Sequence, residues 1–99
     1  MMPMLEKIKK TLRITSAAFD EEVEDLISAA RNDLKLAGVI TEKADSETDP
    51  LIVRAITVYA KANFGFDNPD VEKLQKSYNM IKCHLTLSQE YTQPEVTTP

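Results

Sequence analysis

Cys83 and His84 are the only thiol and the only imidazole in the chain of 99 residues. A nucleophile–base pair would need the two side chains to face each other, but neighbours on a helix point about 100° apart. A zinc site would need further His or Cys ligands, and the sequence has none. Both therefore read as structural or surface residues. Asp45, Glu47 and Asp49 alternate like the opening of a calcium loop. Such a loop needs glycine at its sixth position and glutamate at its twelfth; here these are Pro50 and Ile56, so the match fails at both. Glu21, Glu24 and Asp25 share a helix surface but lack the Glu-x-x-His partners of a di-iron site. They read as a solvated first turn. No glycine-rich loop is present to cradle a phosphate. The sequence offers no catalytic, cofactor-binding or metal site.

One further chemical reading is DNA binding. Two helices joined by the short turn Gly65–Asn68 outline a helix-turn-helix, with Lys73, Lys76 and Lys82 placed near phosphates. The start of the reading helix, however, carries Asp67, Asp70 and Glu72, where base contacts are usually made. Carboxylates there repel the duplex, and a formal net charge of −4 argues the same way.

The elements that carry these residues are all helices. Asp49 and Pro50 mark the start of a central helix over about 50–64, with Asp49 as the cap and Pro50 at the first helical position. Gly65 suits the left-handed conformation that closes it. Ile52, Ala55, Ile56 and Tyr59 form one apolar stripe, while Leu51, Val53, Val58 and Ala62 spread over other faces. Only Arg54, Thr57 and Lys61 form a polar strip, so this helix needs neighbours on most sides, within the chain or from another subunit. A second helix over about 20–37 opens on Asp20 as its cap, with Glu21, Glu22, Glu24 and Asp25 in its first turns. Val23, Leu26, Ile27, Ala30 and Leu34 build its buried stripe, and Gly38 stops it. A third helix over about 69–87 starts at Asn68-Pro69, with Val71, Leu74, Tyr78, Ile81 and Leu85 as its seam. A short helix over about 4–12 precedes them and must dock on the rest. Residues 39–48 read as a polar connection of about ten residues.

The expectation is an all-α fold: a small bundle of three main helices plus the short N-terminal helix, in a single domain over 1–87. A flexible C-terminal tail follows over 88–99, rich in polar residues with two prolines. Hydrophobic content of 42% supports a folded core, and the single cysteine argues against a disulfide-stapled exported domain. The first ten residues lack a signal peptide's apolar stretch, and no segment is long enough to span a bilayer. The chain reads as folding inside a cell without a membrane.

Taken together, several segments resemble the phage head–tail connector family, also called adaptor or head-completion proteins. They are Leu12-Arg-Ile14, Phe19-Asp-Glu-Glu-Val23, Ala29-Ala30 and Leu36-Ala-Gly38, then Asp49-Pro-Leu-Ile52, Tyr59-Ala-Lys-Ala-Asn-Phe-Gly65, Tyr78 to Leu87 and Glu90-Tyr91. Their order and spacing carry the likeness, which runs from about Met4 to Tyr91. The resemblance implies a structural virion component without enzymatic activity or cofactors. About a dozen copies would form a homo-oligomeric ring beneath the portal protein of a tailed phage or prophage. That ring would extend the channel for double-stranded DNA and receive the next tail-side connector or stopper protein. The protein would reside in the virion at the head–tail junction, and in the host cytoplasm before assembly.

The basic residues Lys7, Lys9, Lys10 and Arg13 lie at one end of the chain, and the acidic residues Glu21, Glu22, Glu24 and Asp25 open the first long helix. Complementary patches of this kind suit head-to-tail subunit contacts, so these residues are the interface candidates. The alternatives are the helix-turn-helix-like DNA-binding regulator above, or a protein-interaction module working as a monomer or dimer.

Overall fold

The computed structural model describes residues 3–65 and 68–93. Among these, every regular element is a helix: α1 (Met4–Leu12), a 3-10 turn (Ala17–Phe19), α2 (Asp20–Ala37), α3 (Thr41–Ala44), α4 (Pro50–Asn63), α5 (Val71–Thr86) and α6 (Gln89–Thr92). The all-α reading holds, and three long helices with a docked N-terminal helix make the bundle.

α4 is its centre. Asp49 accepts the N–H groups of Leu51 and Ile52 at 3.0 and 3.2 Å, so one carboxylate satisfies two donors that the first helical turn leaves free. Ile52, Ala55, Ile56, Val58, Ala60 and Ala62 are all buried, which covers more than half of the helix circumference. Each buried isoleucine contributes about 1.5–3 kcal/mol by leaving water. Arg54 and Lys61 remain exposed as the polar strip requires. The neighbours that bury α4 all come from the same chain: α5, α2 and α1. α1 contributes Met4 and Ile8, both fully enclosed. The apolar girth of α4 is therefore met inside one subunit, with only Leu51 left substantially exposed.

α4 ends at Phe64, whose backbone is extended, and Gly65 follows at φ +83°. A β-carbon on Gly65 would meet nothing within 4 Å, so any penalty there is backbone strain alone. Gly65→Val is expected to lower the unfolding free energy by about 1–3 kcal/mol, read by urea denaturation. An unchanged transition midpoint would show that the turn does not need its positive φ.

The start of α2 differs from expectation. Asp20 is its first helical residue rather than its cap, and the residue before it, Phe19, makes no capping bond. The preceding 3-10 turn instead carries the local cap, with Ser16 Oγ accepting the Ala18 N–H at 3.1 Å. Asp20 is free for another task because its carboxylate reaches Lys9 of α1. Gly38 ends α2 as expected, at φ +121°, with its N–H bonded toward Leu34 and Lys35.

Residues 39–48 are more structured than a polar connection. Val39, before the short helix α3, and Ala44, its last residue, are both buried. Arg31 of α2 fixes the segment by donating to the carbonyls of Ala44 and Ser46 at 2.8 and 3.0 Å and pairing with Glu47 at 3.3 Å. At the other end of α4, Asn68 does not cap α5. Its amide donates to the Lys61 carbonyl at 2.7 Å and its oxygen accepts the Asp70 N–H, so it organises the turn; α5 begins at Val71. Phe66 and Asp67, inside the turn read from the sequence, lie outside the described residues. Tyr78 and Leu85 of the seam are buried and Leu74 and Ile81 half-buried, whereas Val71 is 41% exposed.

The order of the chain also extends past Leu87. α6 folds back, buries Tyr91, and accepts the Ile40 N–H on the Tyr91 carbonyl at 2.8 Å. The part of the expected tail over 94–99 lies outside the described residues.

Candidate subunit interface

The eight interface candidates do not share one environment. Lys7 donates to the Glu47 carbonyl at 2.6 Å. Lys9 is 8% exposed, and its ammonium lies 2.6 Å from an Asp20 carboxylate oxygen that is itself buried. These two lysines therefore anchor α1 within the subunit. Lys10 and Arg13 are exposed, and Arg13 closes α1 in a left-handed conformation at φ +61°. Glu21, Glu22, Glu24 and Asp25 are all exposed, and none has an ionic partner among the described residues. The acidic half of the predicted pairing is thus available to a neighbour, while the basic half keeps only Lys10 and Arg13.

Two open clefts flank α1. One is lined by Met4, Leu5, Glu24, Ile27 and Arg31, the other by Glu6, Lys9, Lys10, Arg13 and Ile14. Neither brings a nucleophile to a base. Cys83 and His84 are both exposed on α5, and among the described residues no cluster of His, Cys, Asp or Glu could hold a metal ion. No described helix is long and apolar enough to cross a membrane. For the DNA-reading alternative, Asp70 and Glu72 are exposed at the head of α5, and Lys82 is taken up by Asp33 at 3.0 Å. Asp67 is outside the described residues.

Two polar anchors escaped the sequence reading. Asp33 of α2 accepts the Tyr78 hydroxyl at 2.5 Å as well as the Lys82 ammonium, tying α2 to α5. Burial pushes the Asp33 carboxyl up, but these hydrogen bonds and the Lys82 charge outweigh it and hold the group below its ordinary value. Tyr78 moves the other way, raised by burial and by donating to a carboxylate. At the second anchor, Tyr91 donates to Asp49, the residue that caps α4, at 3.0 Å. Burial and that carboxylate push the Tyr91 hydroxyl up to about 12. Both pairs join residues more than forty positions apart. No local pattern could have announced them.

Apolar side chains also face solvent. Leu36 at the end of α2 is 88% exposed, and Met80 on α5 and Leu87 just after it are 63% and 79% exposed. Acids without an ionic partner among the described residues, and several apolar side chains, thus lie outside an enclosed helical core. No curated protein and no solved structure matches the chain. The pattern of the phage connector protein family matches residues 4–92, from the first residue of α1 to the last of α6. The chain belongs to the phage connector protein family, whose role is structural.

Proposed function

We propose that this connector assembles as a ring of about a dozen copies beneath the portal protein of a tailed phage or prophage. In that position it extends the channel for double-stranded DNA and presents a platform for the next tail-side connector or stopper. The observation that carries the reading is the family match over 4–92, which takes in every described helix. Two physical features support it. The unpaired acids at the head of α2 and the exposed apolar side chains of α2 and α5 lie on outer surfaces, where a neighbour can reach them. The net charge of −4 suits a wall past which a polyanion must slide without sticking.

Light scattering behind a sizing column, over a wide concentration range, tests the assembly. A discrete species of about twelve subunits is the expected result. A monomer at every concentration would overturn self-assembly into rings in solution and favour an interaction module.

A further inference from the structure

The outward faces of α2 and α5 share one spacing. On α5 and the residue that caps its end, Lys73, Lys76, Met80, Cys83 and Leu87 recur at intervals of three and four, opposite the buried Tyr78 and Leu85. On α2, Glu22, Asp25, Ala29, Asn32 and Leu36 recur at the same intervals, opposite the buried Val23, Ile27, Ala30 and Leu34. Every residue in both strips is exposed. Each strip is charged at its N-terminal end and mainly apolar toward its C-terminal end. The charges are opposite: lysines on α5, carboxylates on α2.

Resting on the ring reading above, we propose that the outer face of α5 packs in parallel on the outer face of α2 of a second copy. Lys73 then meets Glu22, Lys76 meets Asp25, Met80 covers Ala29, Cys83 faces Asn32 and Leu87 meets Leu36. A three–four spacing on both partners is what two helices crossing at a shallow angle need to interlock. Met80 over Ala29 places a long, adaptable side chain against a small one.

The other pairings of these two strips are worse. Running α5 antiparallel to α2 sets Lys73 against Leu36 and Leu87 against Glu22, so charges lose water without gaining a partner. Pairing α5 with α5 in parallel puts lysine on lysine, and pairing α2 with α2 puts carboxylate on carboxylate. The favoured contact is therefore heterologous: after one contact, one copy keeps a free α2 face and the other a free α5 face. Such contacts repeat from copy to copy and close into a ring when the rotation between copies permits.

The fold already provides the direction. Within one subunit α2 and α5 run the same way: Asp33 reaches Tyr78 and Lys82, and Ile40 beyond α2 meets Tyr91 of α6 beyond α5. Both helices pack on α4. Rotation about an axis along the helices brings α5 of one copy beside α2 of the next without reversing either.

Cys83 supplies the test, since it is the sole thiol and lies in the middle of its strip. The protein as it stands is mixed with the double variant Asn32→Cys/Cys83→Ser and mildly oxidised, then sized under denaturing conditions. The proposal expects a mixed disulfide dimer, at least several-fold more abundant than with Ser28→Cys/Cys83→Ser, whose thiol is exposed on α2 but off the strip. Lys76→Glu in the unmodified background should abolish the excess, and placing Asp25→Lys in the α2-bearing partner should restore it. Equal yields from the two mixtures, or a predominance of Cys83–Cys83 dimers, would overturn the proposal. Light scattering on the same samples separates it from the ring reading. Large species without the mixed disulfide leave the ring standing and refute this interface; the mixed disulfide in small species does the reverse. Monomers with no specific disulfide refute both.

Discussion

Replacing Tyr78 by alanine is expected to lower the unfolding free energy by about 4 kcal/mol, the usual scale for deleting a buried aromatic ring. A domain of this size has about 5–15 kcal/mol in total, so the variant should melt roughly 20 °C lower. Tyr78 is 1% exposed, its ring meets Tyr59 edge-on at 5.1 Å, and its hydroxyl bonds Asp33. Tyr78→Phe separates the ring from the hydroxyl. It keeps the packing and removes a hydrogen bond to a charged acceptor, for a loss of about 2 kcal/mol at neutral pH. The pH dependence follows from Asp33. Its folded pKa lies below the unfolded value near 3.8, so its stabilisation is present above that value and is lost as pH falls through the folded pKa. The deficit of Tyr78→Phe against the unmodified protein should therefore shrink below about pH 4. Urea denaturation across pH 2–7 reads both effects. Were Tyr78→Ala to melt within a few degrees of the unmodified protein, the α2–α5 contact would not be where the fold's stability lies.

What could be read from the sequence was local. Asp49-Pro50 fixes the start of α4 because a cap and a missing donor act on the next few residues only. Gly38 marks the end of α2 for the same reason: its φ of +121° suits a residue without a β-carbon. The failures were tertiary. Asp20 has the chemistry of a cap and the chemistry of an ion-pair partner, and only the approach of α1 decides between them. Tyr91 sits among Ser, Gln, Glu and Thr, a composition that reads as tail. One aromatic ring with an acceptor at Asp49 is enough to bring the segment back onto the fold. The proposed interface shows the same division. The acids of α2 were visible as a cluster, but their proposed counterpart on α5 emerges only when burial shows which side of that helix faces out.

Lys9→Glu is expected to act on folding before it acts on assembly, and this separates an internal lysine from an interface lysine. The substitution removes the partner of a buried Asp20 oxygen and sets a second carboxylate against it. Breaking a fully buried pair costs about 3–5 kcal/mol; with the Asp20 side chain 37% exposed, about 3 kcal/mol is the appropriate scale. That loss weakens the docking of α1, which otherwise encloses Met4 and Ile8. Lys10→Glu, one residue along and exposed, should change stability by less than about 0.5 kcal/mol. The double replacement Lys9→Met with Asp20→Ala removes both charges together and should recover most of the lost stability, because neither is then stranded. Thermal unfolding of the three variants, with light scattering on each, distinguishes the cases. A Lys9→Glu protein that keeps its melting temperature but loses its oligomer would return Lys9 to the interface. A protein that loses both, with the double replacement regaining both, places Lys9 inside the subunit and leaves exposed Lys10 and Arg13 as the basic candidates beside it.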